Sequence, residues 1–146
     1  MWLIPKLRIF PASFPVFFSA IALLALTSSA AAQSSSPQSN YLQHCAGCHL
    51  VDGSGLPPEV PSLRNDIGYL IDSDEGRGFM VRVPGVTMVP ISAEAVVDLL
   101  NWIVVTFDSD GGEFEPFTLD EVIAGRADPL HDPLKARREL FPDLEL

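Results

Sequence analysis

Five consecutive residues, Cys45-Ala46-Gly47-Cys48-His49, constrain this chain more than any other stretch of it. They hold both of its cysteines, so no thiol is left for a disulfide elsewhere. The order C-x-x-C-H is the sequence signature of c-type haem attachment. Two thiols add across the two vinyl groups of one haem, and two intervening residues let one helical turn present both sulfurs to adjacent ring edges. The next residue, a histidine, then lies beneath the iron, where a neutral imidazole can ligate it. Ala46 and Gly47 are small, which lets the backbone come close to a macrocycle. C-x-x-C has two other common uses. A dithiol redox pair of the thioredoxin-like kind follows a strand in a βαβ pattern, and no such pattern surrounds these residues. A zinc site needs two further ligands, for which only His44, His49 and His131 and the carboxylates are available. The histidine in register favours haem attachment.

The first 32 residues read as an export signal rather than as part of a fold. Lys6 and Arg8 stand in a start without acids, an apolar run follows over residues 14–26, and Ala30-Ala31-Ala32 precede Gln33. That is the charged, apolar and small-residue order of a secretory signal peptide. As a membrane anchor the run is short of the roughly 20 residues a spanning helix needs, and Pro11 and Pro15 interrupt its start. Cleavage after Ala32 leaves 114 residues, enough for one domain and no stable membrane insertion. Export agrees with the motif, since haem is attached covalently on the outer side of the bacterial inner membrane; the expected location is the periplasm.

Removing Lys6 and Arg8 with the signal leaves 7 basic side chains against 19 acidic ones, a net charge of −12, with Lys135 the one lysine. Such a surface repels nucleic acid and anionic membrane, and a docking partner is expected to present a basic patch. The same acidity also serves plain solubility.

Residues 33–37 read as a flexible tether within a Ser/Gln/Pro-rich start, and helix is expected from about Ser39. Gly53, Gly55, Pro57, Pro58 and Pro61 exclude a long helix over residues 51–65 and predict a loop around one haem edge. Residues 67–71 suit a short helix, residues 72–76 a polar loop containing a helix start, and Pro84-Gly85 a break. Val96, Leu99, Leu100 and Ile103 recur at helical spacing behind Ser92, which predicts a helix over 92–107. Thr118-Leu119-Asp120-Glu121 is a capping box opening a helix to about Gly125, and Asp132-Pro133 opens another over 134–140. With no credible strand pairs, the class is all-α. A bound haem would add apolar surface that a chain this short buries sparingly.

The chain resembles class I cytochromes c, and the likeness extends past the attachment motif. In that family an aromatic residue lies four positions before the first cysteine, where this chain has Tyr41. A proline about twelve residues after the histidine gives its carbonyl to the second imidazole nitrogen, and Pro61 lies there, in Pro61-Ser62-Leu63, which looks like the family's P-x-L turn. Asp98-Leu99-Leu100-Asn101-Trp102-Ile103 is similar to the last core helix, with Trp102 packing across the helix that carries Tyr41. The resemblance covers residues 38–107; residues 108–146 form a helical extension outside the ordinary core. It implies one haem c with its iron, bound by Cys45, Cys48, His49, Tyr41, Pro61 and Leu63, with His49 as one axial ligand.

For the second axial position the resemblance points to Met88, in the Pro- and Gly-flanked loop before the last core helix, although the family's Met-Pro is here Met88-Val89-Pro90. Met80, His131, His44 and an open site are the alternatives. Arg64, Arg77 and Arg82 are candidates to pair with a haem propionate, or simply offset neighbouring acids. The runs Arg82-Val83-Pro84-Gly85-Val86 and Pro90-Ile91-Ser92, and the tail from Phe117-Thr118 to Arg137-Arg138, look like small cytochromes of periplasmic amine-oxidising systems. In that group glutamine also occurs at the place of Met88. These residues imply an electron carrier rather than an enzyme, with redox proteins as partners: a periplasmic dehydrogenase, and a terminal oxidase or another cytochrome. No Ser/His/Asp set, carboxylate pair or phosphate loop points to other chemistry. Two further expectations stand beside it: a haem subunit of a dehydrogenase complex, with the extension as docking element, and a gas-binding, sensing or peroxidase-like protein if the sixth site is open.

Overall fold

The computed structural model describes residues 35–108 and 111–144. The stretch read as a signal peptide and the first residues of the tether lie outside the described residues. Among those described there are eight helices and no strand; Leu56 and Val60 form one isolated antiparallel bridge. The all-α expectation holds at this level. No helix among the described residues is long and apolar enough to cross a membrane.

Each helix start has a chemical cause. α1 (Pro37–His44) begins two residues earlier than expected, because the Ser36 side chain accepts from the Ser39 amide and Pro37 sits in the first turn. α2 (Ala46–His49) is the motif itself. α3 (Leu63–Ile71) takes in the end of the expected loop, since Ser62 caps the Arg64 amide right after Pro61. Ser73 caps α4 (Asp74–Arg82), so the polar loop over 72–76 does contain a helix start. Pro84 breaks α4 and opens a single further turn, α5 (Pro84–Thr87). α6 (Ala93–Phe107) is capped by Ser92, α7 (Leu119–Ala127) by the Thr118–Glu121 capping box, and α8 (Pro133–Leu140) by Asp132.

α6 is the hub. Val96, Leu99, Leu100, Ile103, Val104 and Phe107 are all buried on it, and α1, α3 and α7 pack against it. Burying a side chain such as Leu100 is worth about 1.5–3 kcal/mol. Trp102 meets Tyr41 with ring centroids 5.4 Å apart, as the helix pattern implies. α4 forms a second layer, with α3, α7 and α8 against it. At the α4–α7 crossing a Cβ on Gly125 would stand 2.4 Å from the Val81 carbonyl, so only glycine allows this approach. The extension is thus packed on the helices before it. Asn101 on α6 donates to the Phe117 carbonyl and accepts from the Phe117 amide at 2.7 Å, and Arg77 on α4 forms an ion pair with Glu121 on α7 at 2.8 Å.

Candidate functional site

Cys45 ends α1, its amide donating to the Tyr41 carbonyl, and at once starts α2, its carbonyl accepting from the amides of Cys48 and His49 at 3.1 and 2.9 Å. One turn therefore holds both thiols and the imidazole. A Cβ added at Gly47 would meet no protein atom within 4 Å. Leu50 then turns the chain away at φ 61°, ψ 166°, a region that glycine favours. The Tyr41 hydroxyl donates to the Leu50 carbonyl at 2.6 Å and ties this turn to the core. Burial, then the nearby Cys45 and Asp52 charges, push the Tyr41 phenol up to about 12, so it stays a donor.

The following loop returns to the histidine. The Gly55 amide donates to the His49 carbonyl, and the Leu63 amide to that of Gly53. Gly55 has φ 68°, and a Cβ there would stand 2.5 Å from the Val60 oxygen and 2.6 Å from the Pro61 oxygen. Glycine is what lets the loop fold back, and the Pro61 carbonyl thereby comes 3.2 Å from His49 Nδ1. A carbonyl can only accept, so Nδ1 carries the proton and Nε2 keeps its lone pair. Burial lowers the His49 pKa against the opposing pull of the Pro61 carbonyl, which favours the neutral, ligand-competent ring.

Cys45, Cys48 and His49 stand on the wall of a cavity of about 370 Å³. Pro61 and Ser62 join them from the loop; Leu63, Ile67 and Leu70 come from α3, Phe79 and Met80 from α4, Val86 from α5, and Leu100 and Ile103 from α6. Pro133, Leu134 and Arg137 of α8 complete it. The volume lies within the roughly 300–1,000 Å³ usual for cofactor sites. Two thiols and an imidazole on one side of a predominantly aliphatic and aromatic wall fit a flat apolar macrocycle bound by thioethers and one axial nitrogen.

Of the residues expected at the site, Cys45, Cys48, His49, Pro61 and Leu63 come together on this wall and two do not. Tyr41 packs against Trp102 and Phe107 at 1 % exposure and supports the motif from inside the core, away from the cavity. Met88 stands outside, 78 % exposed. Two contacts hold it there: its amide closes α5 on the Pro84 carbonyl, and the Arg126 guanidinium donates to the Val89 and Ile91 carbonyls just beyond it. Met80, 8 % exposed, is on the cavity wall. His44 is on the wall as well, whereas His131 is exposed and apart from it.

None of Arg64, Arg77 and Arg82 lines the cavity. Arg64 pairs with Asp52 at the surface, Arg82 with Asp128, and Arg77 with Glu121 and the carbonyls of Glu115 and Pro116. The arginine on the wall is Arg137. Its signal in the sequence was the spacing of Leu134 and Arg137 behind an Asp-Pro helix start, which sets both on one side of α8.

The alternative uses of C-x-x-C find less support. No strand precedes the motif among the described residues, and burial, followed by the Cys48 charge, raises the Cys45 pKa, the reverse of an activated thiolate. No three His, Cys, Asp or Glu side chains among the described residues are grouped to hold a metal ion. No protein-family model, curated protein or solved structure matches the chain.

Proposed function

We propose that this chain is an exported, periplasmic electron-transfer protein of the class I cytochrome c kind, carrying one haem on Cys45 and Cys48 with His49 as an axial ligand. The observation that carries the reading is the convergence of both thiols and a neutral imidazole on one apolar cavity, with Nδ1 of that imidazole fixed by Pro61. Bound there, haem supplies a one-electron ferric–ferrous couple. The chain's own part is to hold that group without rearrangement. The Pro61 carbonyl fixes the ring and raises its basicity. Ile67, Leu70, Phe79, Leu100 and Ile103 keep water from the interior of the site.

Of the two candidate methionines, Met80 is on the wall with His49 and would be the second iron ligand. Met88 serves only if residues 84–91 turn inward, which costs the α5 turn and the Arg126 contacts. In the exported holoprotein, Met80→Leu is expected to abolish the low-spin six-coordinate absorption spectrum and Met88→Leu to leave it intact. The reverse result moves the ligand to Met88. The exposure of Met88 favours one second reading, an open sixth side that takes a small exogenous ligand, and a high-spin five-coordinate wild-type spectrum would establish it over the simple carrier. A purified wild-type protein without covalently bound haem sinks both.

A further inference from the structure

We propose that Arg137, on α8 of the extension, is the residue that receives a carboxylate of the cavity's occupant; on the haem reading, this is a propionate. Arg137 is buried to 2 % exposure and lies on the cavity wall. Among the described residues it is the one arginine or lysine on that wall, whose other described ionisable side chains are the two cysteines, His44, His49 and Glu59. A permanent cation at an apolar wall lowers the cost of admitting a largely apolar molecule that carries an anionic group, and raises the cost of a neutral one. Guanidinium has five donors in a planar fork, so a carboxylate can be received on two of them while others serve the protein.

The helix end that carries Arg137 is also held in place. The Phe141 amide donates to the Arg137 carbonyl at 2.8 Å, and the Phe141 ring packs edge-on against Phe79 of α4 and Tyr69 of α3. Asp132 caps the start of the helix on the Lys135 amide. The extension therefore contributes a binding residue to the cavity as well as covering α4.

The test uses the full exported protein in three forms: wild type, Arg137→Gln and Arg137→Lys. A haem-stained denaturing gel first establishes covalent haem; its absence from the wild type overturns the underlying haem reading, separately from this assignment. With haem in place, Arg137→Gln is expected to lower the midpoint potential, because loss of a cation favours the ferric form. The expected shift is about threefold to tenfold in the ferric–ferrous ratio, tenfold being about 59 mV for one electron. The propionate bending band in the resonance Raman spectrum is expected to move with it. Arg137→Lys keeps the charge and loses the fork, so its potential stays near the wild type while the band still moves. An unmoved band in both variants overturns the pairing, even if the potential falls, since a distant charge alone accounts for that. Should Arg137→Gln fail to mature, the band of Arg137→Lys decides.

Discussion

Tyr41 and Leu50 show how much of a site depends on groups that never face it. Leu50 holds φ 61°, ψ 166° directly after His49, and backbone of this kind costs a non-glycine residue about 1–3 kcal/mol. It persists because the Tyr41 hydroxyl donates to the Leu50 carbonyl at 2.6 Å from the core. Tyr41→Phe is expected to cost about 1 kcal/mol in urea denaturation, the usual worth of one such bond. An unchanged midpoint would mean that the turn is held by the motif alone. At this scale the sequence was most legible where chemistry is local. The Cys45–His49 turn follows from spacing, and the Pro61 carbonyl, which the resemblance implied, does meet His49 because a short loop leaves few ways to return. Met88 and Tyr41 were placed by resemblance, and both stand away from the cavity; which way a side chain points depends on partners such as Arg126, which is remote in sequence.

Among the elements, caps were readable and contacts between distant helices were not. Ser92, Thr118 and Asp132 mark helix starts because each satisfies amides within three residues of itself. The Arg77–Glu121 pair spans 44 residues and has no such local signature. It joins α4 to α7, with the Arg77 guanidinium also 4.4 Å from the centre of the Phe117 ring. Burial opposes ionisation of Glu121, but the Arg77 and Thr118 hydrogen bonds together outweigh it and hold the carboxyl below its usual range. An acid with a depressed folded-state pKa contributes stability that is full above its unfolded value, about 4.3, and is lost as pH falls through the folded value. Glu121→Gln is therefore expected to cost about 2 kcal/mol at neutral pH. Its urea midpoint should also fall less steeply than the wild type's below about pH 4.3. Parallel acid profiles for the two proteins would show that the pair does not tie the extension down.

On the scale of the whole molecule the net charge, −10 over the full chain, sets the terms of encounter. On the proposed electron-carrier reading, transfer to a basic partner protein is expected to slow as ionic strength rises from about 0.01 M to about 0.15 M, over which the screening length shrinks from about 30 Å to about 8 Å. Stopped-flow rates that do not change with salt would leave the acidity to solubility alone. Composition disclosed this much, and helical spacing disclosed the class, but neither could show that the last helix closes the first site. The cavity wall is drawn from residues as far apart in sequence as 44–49 and 133–137. Filling the cavity and seating the final helix are in consequence coupled equilibria. Whatever occupies the space holds the end of the chain in place, and whatever draws that end away loosens the occupant by the same free energy. The amides of α8 are then a gauge of occupancy, exchanging their hydrogens slowly in the filled protein and quickly in the empty one.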